Sequence, residues 1–221
     1  MRVGEAVTAR RSVRAFRDEP VALDLLRSLA VQASRAATGG NLQPWHVDIV
    51  HGEAMARLKA IMAQTLASGQ LEPAAYDIYP RDLVDPYRAR RFAIGEAMYA
   101  RLGIPRDDKP ARLAWFANNF AFFGAPAAYF VTVDRRMGPP QWADLGMYLQ
   151  TLMLLVVGEG LGSCAQEAWA VYPQTVERFL GTPPERMIFC GVAIGWEDTD
   201  APVNRLRSAR AEEGEWLRVI E

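Results

Sequence analysis

Arg10, Arg11 and Arg14 put three fixed positive charges within five residues, with the hydroxyl of Ser12 among them. A guanidinium is a planar fork matched to phosphate oxygens, and a serine adds a donor without bulk. Each charge-assisted bond contributes roughly 1.5–3 kcal/mol, so such a cluster can anchor a dianion. The same residues also suit a solvated basic turn closing a helix, where cations favour the C-terminal dipole. About thirty residues on comes Gly39-Gly40-Asn41-Leu42-Gln43-Pro44-Trp45. Its glycines let backbone N–H groups approach a ligand closely. Asn41 and Gln43 each offer a donor and an acceptor, which suits a planar ring edged with N–H and C=O groups. A plain helix-to-strand turn would read the same way.

Two weaker stretches could join them. Ser163-Cys164-Ala165-Gln166-Glu167-Ala168-Trp169 follows an expected strand, and backbone amides at a strand end are natural contacts for a ring nitrogen. Glu167 is the one carboxylate there, and it reads either as an acid–base group or as an exposed loop acid. The tail segment Asn204-Arg205-Leu206-Arg207-Ser208-Ala209-Arg210 offers Arg207 and Arg210 as further phosphate partners or as surface charge.

Several chemistries are excluded. Gly158-Glu159-Gly160-Leu161-Gly162 follows an expected helix and precedes a strand, the reverse of a dinucleotide-binding loop. His46 and His51 lie five apart on one expected strand, hence on opposite faces, so no shared metal is expected. No Gly-x-Ser-x-Gly elbow supports Ser163 as a nucleophile. Cys164 and Cys190 sit in apolar runs and read as buried free thiols of a reducing compartment. The formal net charge of −1 argues against nucleic-acid binding. The apolar run from Leu145 to Val157 is shorter than the roughly 20 residues a membrane span requires, so no membrane is expected and the setting reads as cytoplasmic. That run is apolar nearly all round and should be a core helix that a partner subunit buries further.

The surrounding elements must position these groups. Periodicity and capping predict helices from about Gly4 to Arg10, from Pro20 through Ala33, over Glu53–Leu66, Ala111–Phe123, Trp142–Val157 and Pro173–Leu180. Strands are predicted at His46–His51, Ala127–Val133, Gly162–Gln166 and Met187–Ile194. Residues 68–110 differ in kind, with tyrosines among arginines, five prolines and one expected helix near Pro86–Leu102. The alternation indicates an α+β arrangement in a single domain, 1–221, with a variable excursion at about 68–110 and a C-terminal arm at about 202–221.

Arg10-Arg11-Ser12-Val13-Arg14, Asn41-Leu42-Gln43-Pro44-Trp45, Gly160 to Ala168 and the arginine-bearing tail together resemble the FMN-dependent, oxygen-insensitive nitroreductase superfamily. The resemblance spans nearly the whole chain outside residues 68–110. It implies a three-layer fold, a mixed and mostly antiparallel sheet flanked by helices, and an intertwined homodimer with FMN at the subunit interface. By resemblance Arg10, Ser12 and Arg210 hold the FMN phosphate, helped by Arg11 and Arg207, and Arg14 faces the pyrimidine edge. Gln43 and Asn118 meet the ring or ribityl chain, and the backbone of Ala165, Gln166 and Glu167 faces N5. Gly40 and Asn41 contact a small aromatic substrate, and the excursion caps the open face. No protein side chain is implied as catalytic, because the flavin N5 carries the chemistry. The implied reaction is ping-pong reduction of nitroaromatics or quinones by NADPH or NADH. Dehalogenation, ene reduction, flavin destruction and passive flavin binding are alternatives on the same scaffold. The chain departs from the family pattern at Ala121, Ala168 and Ala211-Glu212.

Overall fold

A computed structural model describes residues 1–221. Four strands form one sheet: β1 (His46–His51), β2 (Ala127–Asp134), β3 (Gly162–Gln166) and β4 (Arg186–Gly195). Their order is β1-β2-β4-β3 and every neighbouring pair is antiparallel. The parallel component is confined to an isolated bridge between Ser12 and Ser163.

β2 is an apolar run, and its alternation sorts the two cores. Ala127, Tyr129, Val131 and Val133 face a layer made by α2 (Leu23–Ala33) and α6 (Pro139–Gly158). Ala128 and Phe130 face the opposite layer, made by α3 (Gly52–Ser68), Trp169 and α7 (Pro173–Leu180). The expected three layers are therefore present. α2 buries Leu26, Leu29 and Ala33 at helical spacing. It begins at Leu23 rather than Pro20, because Ala22 is still extended (φ −60°, ψ 133°). α3 ends at Gly69, whose φ of 69° needs a residue without a Cβ. α1 (Val3–Ala9) leads straight into the arginine cluster.

The helix expected at 111–123 divides. α5 (Lys109–Ala117) starts on an Asp108 cap, whose side chain accepts from the Ala111 amide at 3.0 Å. It gives way to a 3-10 turn, Asn118–Gly124, in which Phe122 and Phe123 take φ of 53° and 54°. The turn buries Phe120, Phe122 and Phe123, and the first two close on Trp169 with ring centroids 5.3 and 4.6 Å away. Aromatic burial thus outweighs helical continuity, since a regular helix would send alternate rings to solvent.

The 68–110 excursion has a fixed root. Glu72 accepts from the amides of Gln174 (2.7 Å) and Thr175 (3.2 Å) at the start of α7. The Ala75 amide donates to the Ala170 carbonyl at 2.8 Å. The Tyr76 hydroxyl donates to the Phe189 carbonyl, and its ring meets Trp142 at 5.2 Å. Beyond this root runs α4 (Tyr87–Arg101), which buries none of its residues within the chain. Arg90 of α4 pairs at 2.7 Å with Glu215 of the tail. No helix is long and apolar enough to cross a membrane.

Candidate functional site

The segment carrying Ser12-Val13-Arg14 is pinned along the edge of β3. The Val13 amide donates to the Ser163 carbonyl at 2.9 Å, and buried Val13 packs on Gly162. A Cβ at Gly162 would come within 2.7 Å of Val13 Cγ2, so only glycine allows so close an approach. From the other side the tail supplies Asn204, which is 3% exposed. Its Oδ1 accepts from the Arg14 amide at 2.7 Å, while its Nδ2 donates to the carbonyls of Ala15 and Asp198, each at 2.8 Å. This backbone clamp is the functional feature that side-chain chemistry in the sequence did not reveal. In the sequence Asn204 is only one polar residue of the arginine-bearing tail, and its burial is set by tertiary contact.

The result is a cleft of about 320 Å³ lined by Arg10, Ser12, Arg14, Arg207, Ser208 and Arg210 among others. No carboxylate lines it, and none of these four arginines forms an ion pair. Arg207 donates instead to the Ala9 carbonyl at 3.1 Å, and Arg210 to Ser208 Oγ at 2.7 Å. Arg11 is committed elsewhere. It also lines the cleft, but its guanidinium grips both carboxylate oxygens of Glu197, which ties this segment to the end of β4. Sequence proximity alone could not separate Arg11 from its neighbours. Four convergent, unneutralised guanidiniums fit a phosphate dianion, which would satisfy donors that now have only neutral partners.

Arg14 also lines a second cleft, of about 290 Å³, whose floor is the end of β3: Ala165, Gln166, Glu167 and Ala168. Trp115, Phe116 and Phe123 wall one side, and Tyr79, Met98 and Tyr99 of the excursion wall the other. Gln166 is buried, donates to the Asn119 carbonyl at 2.8 Å, and so fixes the strand end. Partial burial raises the pKa of the Glu167 carboxyl above the ordinary carboxylate value. Asn119, not Asn118, lines this cleft. Asn118, at the start of the 3-10 turn, is half-buried and is not among the residues lining it.

The Gly39–Gln43 loop is built for a purpose but stands apart. Gly40, Asn41 and Gln43 all adopt left-handed backbone, with φ of 58°, 57° and 49°. For Asn and Gln this is a costly arrangement that the surroundings must hold. They do so through buried Asp144 of α6, which accepts from the Gly39 amide at 3.2 Å, and through Thr38 Oγ1, which accepts from the Gln43 amide at 3.3 Å. Gly40, Asn41 and Gln43 are exposed and line neither cleft.

The two cysteines are buried free thiols, as expected. Burial raises both thiol pKa values, that of Cys190 to about 12, which makes neither a nucleophile.

Residues 7–196 match the Nitroreductase family. A curated relative, 4-nitrobenzoate reductase of Pseudomonas putida, is 34% identical over 204 residues, covering 92% of this chain and 89% of the relative. The crystal structure of FMN and NADPH-dependent nitroreductase NfnB from sphigopyxis sp. strain HMH is similar at a TM-score of 0.96 and 48% identity, with 100% of both chains covered. The FMN-dependent nitroreductase NfnB from Mycobacterium smegmatis, in complex with NADPH, gives a TM-score of 0.94 at 30% identity over 99% of this chain and 98% of that one. With the family model matched over residues 7–196 and the fold shared over its whole length, the chain whose basic cleft meets an aromatic one at Arg14 belongs to the nitroreductase family.

Proposed function

We propose that this chain is an FMN-dependent oxidoreductase that uses NADPH or NADH to reduce nitroaromatic or quinone-type substrates by a ping-pong mechanism. The observation that carries the reading is the pair of clefts sharing Arg14, one whose charged residues are all arginines and one mostly apolar with a polar strand end. That pairing matches a molecule with a phosphate at one end and a planar ring system at the other. The names of the relatives, an FMN and NADPH-dependent nitroreductase and a 4-nitrobenzoate reductase, point the same way.

When bound, FMN supplies the two-electron chemistry. Arg10, Ser12, Arg207 and Arg210 would hold its phosphate, while Arg11 stiffens the segment through Glu197. Arg14, fixed by the Asn204 clamp, sets positive charge at the junction of the two clefts and would there favour an electron-rich ring edge. Ala165, Gln166 and Glu167 line the second cleft, so their backbone would contact the ring. The aromatic walls of the second cleft exclude water from the reacting face and stack planar substrates.

The functional unit in this reading is a homodimer. α6 is apolar nearly all round, yet only one face is buried within the chain: Met147 is 41% exposed, and Met153 and Leu154 are half-buried. A second subunit would cover that face. It would also bring its Gly39–Gln43 loop to the ring cleft, giving Gly40, Asn41 and Gln43 the flavin and substrate contacts they lack in one chain. Sedimentation equilibrium tests this directly, and a monomer at micromolar concentration contradicts it.

The deciding experiment is the visible spectrum of the purified protein, followed by anaerobic NADPH or NADH. Bleaching of bound flavin and its recovery with a nitroaromatic are expected. A colourless protein that takes up no added FMN would overturn the reading.

A further inference from the structure

Asp144 is the only charged residue of α6, and it is 4% exposed. A buried carboxylate is costly unless it is well paired. This one forms no ion pair, and its sole donor within the chain is the Gly39 amide, at 3.2 and 3.3 Å from its two oxygens. One turn further along α6 the ring of Tyr148 stacks on Trp45, with centroids 5.0 Å apart, and its hydroxyl donates to the Ala30 carbonyl at 3.2 Å. α6 therefore holds both ends of the segment from Gly39 to Trp45. Between those ends the loop completes its own turn. The Asn41 amide donates to the Thr38 carbonyl and the Leu42 amide to the Gly39 carbonyl, each at 3.2 Å. The Gln43 amide donates to Thr38 Oγ1 at 3.3 Å. Gln43 Nε2 donates to Asn41 Oδ1 at 3.1 Å, which leaves Asn41 Nδ2 as a free donor and Gln43 Oε1 as a free acceptor.

The same helix carries the exposed face, around Met147 and Leu154, that a second subunit covers in the function proposed above. From this arrangement we infer that Asp144 is a positioning residue for the neighbouring subunit's flavin site. Through the Gly39 amide it fixes the backbone from which Asn41 and Gln43 reach across the dimer. The inference rests on the homodimeric reading above and adds to it the group that sets the loop. Left-handed backbone at Asn41 and Gln43 is sparsely populated in a free chain, so something must hold it. Without an anchor at Gly39 the loop would spread over other conformations, and ligand affinity falls by the fraction of time that it is correctly set. Because the anchor sits in the dimer helix, the loop's aim is tied to the subunit interface. A mispositioned loop in one subunit should then damage the site of the other.

Mixed dimers test this. Asp144→Ala keeps its own phosphate arginines but loses the loop anchor, whereas Arg10→Ala/Ser12→Ala keeps the loop but loses phosphate ligands. The two chains, carrying different tags, are coexpressed, and the purified heterodimer is titrated with FMN by fluorescence. Homodimeric Asp144→Ala is expected to remain a dimer in sedimentation and to bind FMN about tenfold more weakly, as for a loop correctly set about a tenth of the time. Asp144→Asn, which retains an acceptor for the Gly39 amide, should recover part of that loss. The heterodimer should hold one flavin at wild-type affinity, because the Asp144→Ala chain borrows the intact loop of its partner. A core defect that merely loosens its own subunit would not be repaired in this way. Thr38→Val removes the Gln43 anchor without touching the buried carboxylate, and it carries the test if the Asp144 variants do not fold. Paired in the same manner, it should show the same repair from a smaller loss. A heterodimer whose better site keeps the weakened affinity would overturn the inference, as would wild-type affinity in homodimeric Asp144→Ala. Wild type that is monomeric, or that takes up no flavin, would instead sink the function proposed above, so the failures are distinguishable.

Discussion

The two clefts that meet at Arg14 hold their contents by different physics. The basic cleft relies on fixed charge, and its geometry is set by backbone: the Ser12–Ser163 bridge, the close approach at Gly162 and the Asn204 clamp. The ring cleft relies on shape, with a strand end as floor and aromatic side chains as walls. Binding at the first should depend on salt and on single charges; binding at the second should depend on packing and tolerate ionic strength. A flavin spanning both would be retained by one end and used at the other.

Arg10→Ala with Ser12→Ala attacks the charged end and should have the largest effect. FMN affinity is expected to fall by about 3–6 kcal/mol, two charge-assisted bonds' worth, with most of the difference disappearing at high salt. Equilibrium dialysis would decide it, and an unchanged dissociation constant refutes the phosphate assignment. Asn204→Ala should come next. It strands the Arg14 amide and two carbonyls and should cost about 2–3 kcal/mol in denaturant unfolding. FMN should also bind more weakly even though no charge is lost. If unfolding stays at the wild-type midpoint, the clamp is not what holds Arg14. Gly162→Ala forces Val13 off the strand edge, for about 1–3 kcal/mol of overpacking, and should weaken FMN through displacement of Ser12 and Arg14. Calorimetry would reveal a lowered Tm; wild-type stability and affinity together would show that the segment can shift freely. Shortening the excursion beyond its root, between Asp77 and Asp108, should act least on FMN and most on oxidant range. Loss of flavin in that variant would show that the excursion is part of the cofactor site, not a cap.

Much of this was legible in the chain because the relevant signals are local. The strands of the sheet are short β-branched or apolar runs, and α7 and α4 begin near prolines, so periodicity and punctuation found them within a few residues. The arginine cluster was visible as a charge motif. What escaped were choices made by tertiary contact. The 3-10 turn at Asn118–Gly124 exists because Phe120 and Phe122 close on Trp169, and it puts Asn119 rather than Asn118 on the cleft wall. Arg11 and Arg10 are neighbours with equal charge, and only the position of Glu197, 186 residues away, separates their partners. The buried Asp144 behind Gly39 had no local signature at all, since it sits within an apolar helix.

The bridge between Ser12 and Ser163 has a further consequence. β3 is an edge of the sheet, and an uncovered edge is a template for intermolecular strand pairing. By lying along β3, the Arg10–Arg14 segment serves as its edge guard. Removing these residues would therefore uncover a sticky strand at the same moment as it removes the charges. An N-terminally truncated chain should fail by aggregation, and its insolubility would conceal the loss of flavin binding.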